Sequence, residues 1–308
     1  MAHTHGANKR ILLISFIIIT VFMIVEVIGG LLTNSLALLA DAGHMLSDAV
    51  SLFIALIAFK LGERSANYGK TYGYKRFEIL AAVINGATLL AVAIFIFYEA
   101  VERIFNPPEV ASYGMLIIAV IGLIVNIIVA YIMHRGGDTE NNLNMRAAFL
   151  HVIGDLLGSV GAIIAALLMI FFDFTWADTV ASVLVAVLIL ISGFRVTKAS
   201  LHVLMEGTPA NVNLEKVIEK IKTLPEVESL HDLHVWSVTS GQNVLSCHIT
   251  VDEKMTVGES EGLLRELEHA LEHENIKHVT IQVETGSHPH ESSILCRHNY
   301  ETEEHHHH

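Results

Sequence analysis

LALLADAGHMLSDAVSLFIALIAFKL, residues 36–61, decides how this chain is read. At about 1.5 Å per residue the run is long enough to cross a ~30 Å hydrocarbon layer as a helix. Yet it carries His44 and Asp48 in its interior, where an ionisable side chain is costly and therefore marks function. A second apolar run, residues 143–172, repeats the device with His151 and Asp155. In each pair the residues are four apart, so on a helix both side chains leave the same face. Two imidazoles and two carboxylates form a natural four-ligand set for a divalent metal such as zinc.

The rest of the chain supports a membrane class. Hydrophobic residues make up 52% of it and charged residues 17%, far from the balance of a soluble domain. Six apolar stretches can span a bilayer: 11–32, 36–61, 79–104, 113–133, 143–172 and 176–196. The first is too long for the apolar part of a removable signal peptide. Under this topology Lys9, Arg10, Lys60, Arg64, Lys70, Lys75, Arg76, Arg135, Arg146, Arg195 and Lys198 lie on one side, and only Arg103 lies near the other. The bias places both termini in the cytoplasm. The expected organisation is a short cytoplasmic N-terminal segment (1–10), a six-helix transmembrane bundle (11–206), a cytoplasmic domain (207–286) and a flexible, His-containing tail (287–308).

The formal net charge of −13 is unevenly spread. From Glu206 onward there are 7 basic and 19 acidic residues, a net of −12, which leaves −1 for the first 205 residues. That excludes nucleic acid as a partner, because phosphate binding needs basic surface, and it suits a soluble domain exposed to cations. Two cysteines, Cys247 and Cys296, make no disulfide framework and point to a reducing compartment. Residues 213–224 and 259–273 read as amphipathic helices, and 228–238, 244–251 and 279–284 as strands. The order α-β-β-α-β predicts a small ferredoxin-like α+β domain, with an antiparallel sheet covered by helices on one face. Strand alternation puts Cys247 in the core and His248 on the opposite face. His231 and His234 are three apart, so only one of them can join His248.

In the membrane part the two ionisable pairs fall at matching depth. The second span descends from the outer side and the fifth rises from the cytoplasm. Each His is then about 12 Å, and each Asp about 18 Å, from its own entry point. His44 comes level with Asp155, and Asp48 with His151, near the midplane, where a transport site can be reached from either side. Two carboxylates neutralise a divalent cation in low dielectric, and two imidazoles complete a tetrahedron. Once emptied, the same groups attract protons, so metal and proton compete for one site. An intramembrane zinc hydrolase is the alternative from another class, but no His-Glu-x-x-His is present. Asp41, one turn before His44, reads as a metal-site support or helix cap. Glu26, Asn85 and Asn126 read as lone structural polar groups.

His44-Met-Leu-Ser-Asp48, Asn85-Gly86 after Arg76-Phe77-Glu78, His151-Val-Ile-Gly-Asp155 and His231-Asp232-Leu233-His234-Val235-Trp236-Ser237 together resemble the cation diffusion facilitator family. Within it, the chain is most similar to the bacterial cadmium, cobalt and zinc resistance type of zinc exporter. The resemblance implies a homodimer of six-span protomers in the plasma membrane, exchanging Zn2+ for protons by alternating access. It implies a transport site at His44, Asp48, His151 and Asp155, with His at the first position matching the zinc-preferring branch. In the cytoplasmic domain it implies metal ligands at His231, His248, His278 and Glu284, with Cys296 and His298 supplied by the tail. A charge interlock would map to Arg76 and Glu206. The loop after the second span reads Asn67-Tyr-Gly-Lys70-Thr-Tyr-Gly-Tyr74. It lacks the Asp and His that hold a further metal in some members, and the loop after the fourth span has only one His.

Overall fold

The structure, a computed structural model of the single chain, describes residues 2–62, 67–136, 143–286 and 293–295. The chain divides into two compact units, Met1–Ser200 and Leu201–His308.

The first unit holds six helices: α1 (Ala2–Thr33), α2 (Leu36–Gly62), α3 (Arg76–Phe105), α4 (Ser112–Gly136), α5 (Leu143–Phe172) and α6 (Ala177–Leu204), which runs on past the division. Among the described residues, α1, α3, α4, α5 and α6 each contain an apolar run long enough to cross a membrane, and the described run of α2 is Leu36–Ser47. Each apolar helix also keeps large hydrophobic side chains exposed, such as Leu31, Ile84, Tyr98, Ile117, Leu157 and Leu184. Apolar surface on this scale fits a lipid environment rather than water.

Inside the unit, helices meet through small residues. Leu36 and Ala40 of α2 pack with Leu89, Ala93, Ile96 and Ala100 of α3 and with Ala186 and Ile189 of α6. Ala37 and Leu38, on another face of α2, pack with Met115 and Ala119 of α4 and with Ala162, Ala165, Ala166 and Met169 of α5. Small side chains let backbones approach closely, which replaces the hydrophobic drive that lipid does not supply. The lone polar groups join helices too. Asn85 Nδ2 donates to Ser47 Oγ at 2.9 Å, tying α3 to α2, and Asn126 Nδ2 donates to Ser159 Oγ at 3.3 Å, tying α4 to α5.

The second unit contains α7 (Leu214–Lys222), β1 (Ser229–Thr239), β2 (Gln242–Val251), α8 (Val257–Glu272) and β3 (Ile276–Thr285). Asn213 caps α7 by accepting from Lys216 N at 3.1 Å. Thr256 and Glu259 form a reciprocal capping box at the start of α8, satisfying two backbone donors that the helix cannot use itself. Val217 and Ile221 of α7 and Leu263, Leu267 and Leu271 of α8 pack against Leu230, Val235, Leu245, Cys247, Ile249 and Val251 of the sheet.

The sheet departs from the antiparallel expectation. Its order is β1-β2-β3, with β1 and β2 antiparallel but β2 and β3 parallel. The reason is the connection: α8 carries the chain back across the sheet before β3 begins, and such a crossover delivers a parallel strand where a tight turn cannot. β1 contains a register shift between His231 and His234, and Asp232 there adopts a left-handed φ of 50°. The bulge releases Leu233 N from the ladder, and Ile294 O of the tail accepts it at 2.8 Å. Residues 293–295 are thus docked on the domain, with Ile294 against its core.

Candidate metal centres

Each unit brings ionisable side chains together, and each set is built by different local geometry. In the membrane unit, His44 of α2 and Asp155 of α5 meet with Nδ1 and Oδ1 3.7 Å apart, their side chains 22% and 6% exposed. This is the cross-helix pairing that antiparallel spans at equal depth require. Asp48 and His151 lie one helical turn away on the same two helices, and their side chains fall outside the described ones.

Two more carboxyl groups approach this pair. Asp41, 5% exposed, lies against α5: a Cβ placed on Gly158 would be 2.7 Å from Asp41 Oδ1. Only glycine permits that approach. Glu26 of α1, 1% exposed, lies beside Asp41 and within electrostatic range of Asp155. The sequence reading treated Glu26 as an isolated structural group. Nothing in the periodicity of α1 aims it at Asp41, because that convergence depends on how α1 packs on α2.

In the second unit, His231, His248 and Glu284 each offer a ligand atom, and these atoms lie within 4.8 Å of one another. His248 Nδ1 is 2.9 Å from Glu284 Oε1, His231 Nε2 is 3.4 Å from Glu284 Oε2, and the two imidazole rings stand edge to face at 5.2 Å. Sheet register explains the cluster. His231 is directly opposite His248 across the β1–β2 ladder, and Glu284 is opposite Thr250, two residues along from His248's partner Gln282. Residues two apart on a strand share a face, and Gln282 Nε2 also donates to Glu284 Oε1 at 2.6 Å. Two imidazole nitrogens and a carboxylate in this arrangement fit a zinc-type cation.

Asp232 lies beside the cluster, a neighbour that strand alternation could not foresee. Its bulge conformation turns the carboxylate to within 3.7 Å of His248 Nε2 and 3.1 Å of exposed His234 Nε2. His278 does not join the cluster. It lies exposed opposite Val244, four residues before Gln282, about 13 Å along the strand. There it lines a cavity with Arg265, Glu268, His269 and Glu272. Cys296 and His298 lie outside the described residues.

Cys247, 1% exposed, points into the core rather than toward the cluster. Burial first, and the charge of Asp232 second, push its thiol up to about 12.

The fold agrees with the comparisons to known proteins. The family profile for the cation efflux transmembrane domain matches residues 12–205, and that for the cation efflux protein cytoplasmic domain matches residues 209–286. The chain belongs to the cation efflux family: it is a multi-pass membrane transporter, not an enzyme. It is 60% identical, over the full length of both chains, to the cadmium, cobalt and zinc/H(+)-K(+) antiporter of Bacillus subtilis. It is 44% identical to the zinc transporter ZitB of Pectobacterium atrosepticum, with 92% of this chain and 88% of that one aligned. It is 43% identical to the metal cation efflux system protein CzcD of Cupriavidus metallidurans, over 92% and 89%.

Because its pKa is raised, Cys247 stays a neutral thiol throughout the ordinary range and only the thiolate reacts. Peptide mass spectrometry after iodoacetamide treatment at pH 8 will find Cys247 unmodified in the folded chain and alkylated in denaturant. Equal labelling in both states would contradict its buried position.

Proposed function

We propose that the chain exports Zn2+ from the bacterial cytoplasm across the plasma membrane in exchange for protons. His44, Asp48, His151 and Asp155 carry the ion near the bilayer midplane. The observation that carries this reading is the meeting of His44 and Asp155, at 3.7 Å, between two apolar helices. The sequence spacing supports Asp48 and His151 as the remaining ligands, one turn along the same helices. Cd2+ and Co2+ are further cargo, in keeping with the name of the 60% identical relative. That name also couples the metal to K+ as well as H+, so K+ is the second counter-ion to vary.

The chemistry follows from desolvation. With Zn2+ bound, two carboxylates balance its charge and two imidazoles complete a tetrahedron. When the ion leaves, uncompensated carboxylates in low dielectric are unfavourable, and protons entering from outside relieve them. Proton loss on the cytoplasmic side restores the ligands. Exchange arises because the two cargoes occupy the same lone pairs.

The positive-inside bias supports placing both termini in the cytoplasm, and the match to the family's cytoplasmic domain supports a homodimer. His231, His248 and Glu284 would hold a regulatory Zn2+, with Asp232 in reach of His248. Bound metal there would offset the acidic surface and favour closure of the dimer.

Zinc flux in proteoliposomes under an imposed pH gradient tests the main reading, with lumenal zinc and pH dyes read together and K+ varied separately. The expected result is zinc accumulation driven by outward proton movement, falling to the protein-free baseline in Asp155→Ala. Binding without gradient-driven flux would leave a sensor or channel instead. In the same assay His44→Asp, which replaces nitrogen with oxygen and adds charge, will shift the Zn2+-to-Cd2+ rate ratio toward Cd2+; an unchanged ratio would remove His44 from the ligand set. For the cytoplasmic site, zinc added to the purified full chain will reduce its scattering radius, and a His248→Ala/Glu284→Ala double variant will lose that response. A response of equal size in the variant would refute the regulatory assignment.

A further inference from the structure

Leu267-Glu-His269-Ala-Leu-Glu272-His273 ends α8 with two histidines four apart. That spacing puts both imidazoles on one face of a helix, the arrangement by which a helical His pair holds zinc. Helical geometry persists through the second of them, since His273 is the C-cap with φ −67° and ψ −19°. Leu263, Leu267 and Leu271 fill the core side of α8. His269 and His273 stand on its outer side, and both are exposed.

Their rings lie edge to face, with centroids 5.1 Å apart and planes at 79°. A zinc ion joined to two imidazole nitrogens at about 2.0–2.1 Å, with a tetrahedral angle between them, sets the ring centres about 5 Å apart. The pair already has the separation that chelation needs. His231 and His248, in the candidate cluster, have nearly the same one, 5.2 Å. The surroundings suit a cation. His269 shares a cavity with Glu268, Glu272 and His278, and the last turn of a helix carries partial negative charge. Arg265 and Lys277 also line that cavity, but Arg265 Nη2 is paired with Glu261 Oε1 at 2.6 Å. Imidazole nitrogens select a zinc-type ion over Mg2+ or Ca2+, which take oxygen.

The geometry points to a second metal site in this unit, where His269 and His273 chelate one zinc-type ion (Zn2+, Co2+ or Ni2+) at the end of α8. His278, which the sequence grouped with His231 and His248, belongs to the wall of this site instead. Two protein nitrogens leave the other coordination positions to water. The ion therefore exchanges with the bulk, as a site that reads free metal requires.

Diethylpyrocarbonate footprinting of the purified full chain, read residue by residue by peptide mass spectrometry, separates this site from every other histidine. Zn2+ will slow modification of His269 and His273 together, about tenfold at nine-tenths occupancy, and Mg2+ will slow neither. In His273→Gln, an exposed substitution that leaves the core leucines in place, Zn2+ will no longer protect His269. The His248→Ala/Glu284→Ala variant will keep the protection of both. Full reactivity of the pair in the parent chain with Zn2+ present would overturn the inference. So would protection of His269 that survives His273→Gln, or protection that vanishes with the cluster variant. None of these readouts depends on flux, so failure of the transport reading would leave them unchanged.

Discussion

A charged side chain inside an apolar bundle must be compensated by another side chain, a backbone group or an ion, and the membrane unit is organised around that constraint. His44 and Asp155 are placed on α2 and α5 so that they meet. Asp41 turns to α5 where Gly158 leaves room, and Glu26 reaches Asp41 from α1. At the N-terminal end of α2, Asp178 is compensated by Arg103, a hydroxyl and two backbone donors. Alanine and glycine elsewhere in the helices serve the same requirement. Polar groups can pair only where backbones come close, and small residues allow that approach.

The two units bring candidate metal ligands together by different means. In the membrane, helical period supplies pairs, and antiparallel helices at equal depth bring them face to face. In the cytoplasmic unit a sheet aligns side chains across strands, and His231, His248 and Glu284 converge because of ladder register. One irregularity refines that arrangement. The left-handed Asp232 shifts the register of β1, adds a carboxylate beside His248 and frees Leu233 N for Ile294 of the tail. Chain connectivity, through the α8 crossover, decides that β3 runs parallel to β2 and so where along the sheet Glu284 and His278 fall.

The sites differ in how far they could be read from the chain alone. His44 and Asp155 were legible because helical period is regular over many turns and because an ionisable residue stands out against an apolar run. His231, His248 and Glu284 were named from family resemblance, and alternation assigned only their faces. Asp232 escaped because a bulge breaks the alternation on which that argument rests. His278 was grouped with the others by the same resemblance, which says nothing about displacement along a strand. Glu26 read as a lone structural group and Asp178 was not singled out, for one shared reason. Each acts on a residue of another helix, and one-dimensional periodicity does not record which helices are neighbours.

The sequence by itself determined six apolar helices, an α-β-β-α-β domain, the placing of ionisable residues within spans and the acidity of the C-terminal part. These follow from local rules: the period of a helix or strand, the length needed to cross a bilayer, and the cost of charge in hydrocarbon. Tertiary structure alone decided that Glu26 lies beside Asp41, that Asp178 caps α2 from 142 residues away, that β3 is parallel and that His278 stands apart. Each of these depends on which distant segments pack together, and that choice is made by the summed packing and desolvation of the folded chain rather than by any single stretch of it.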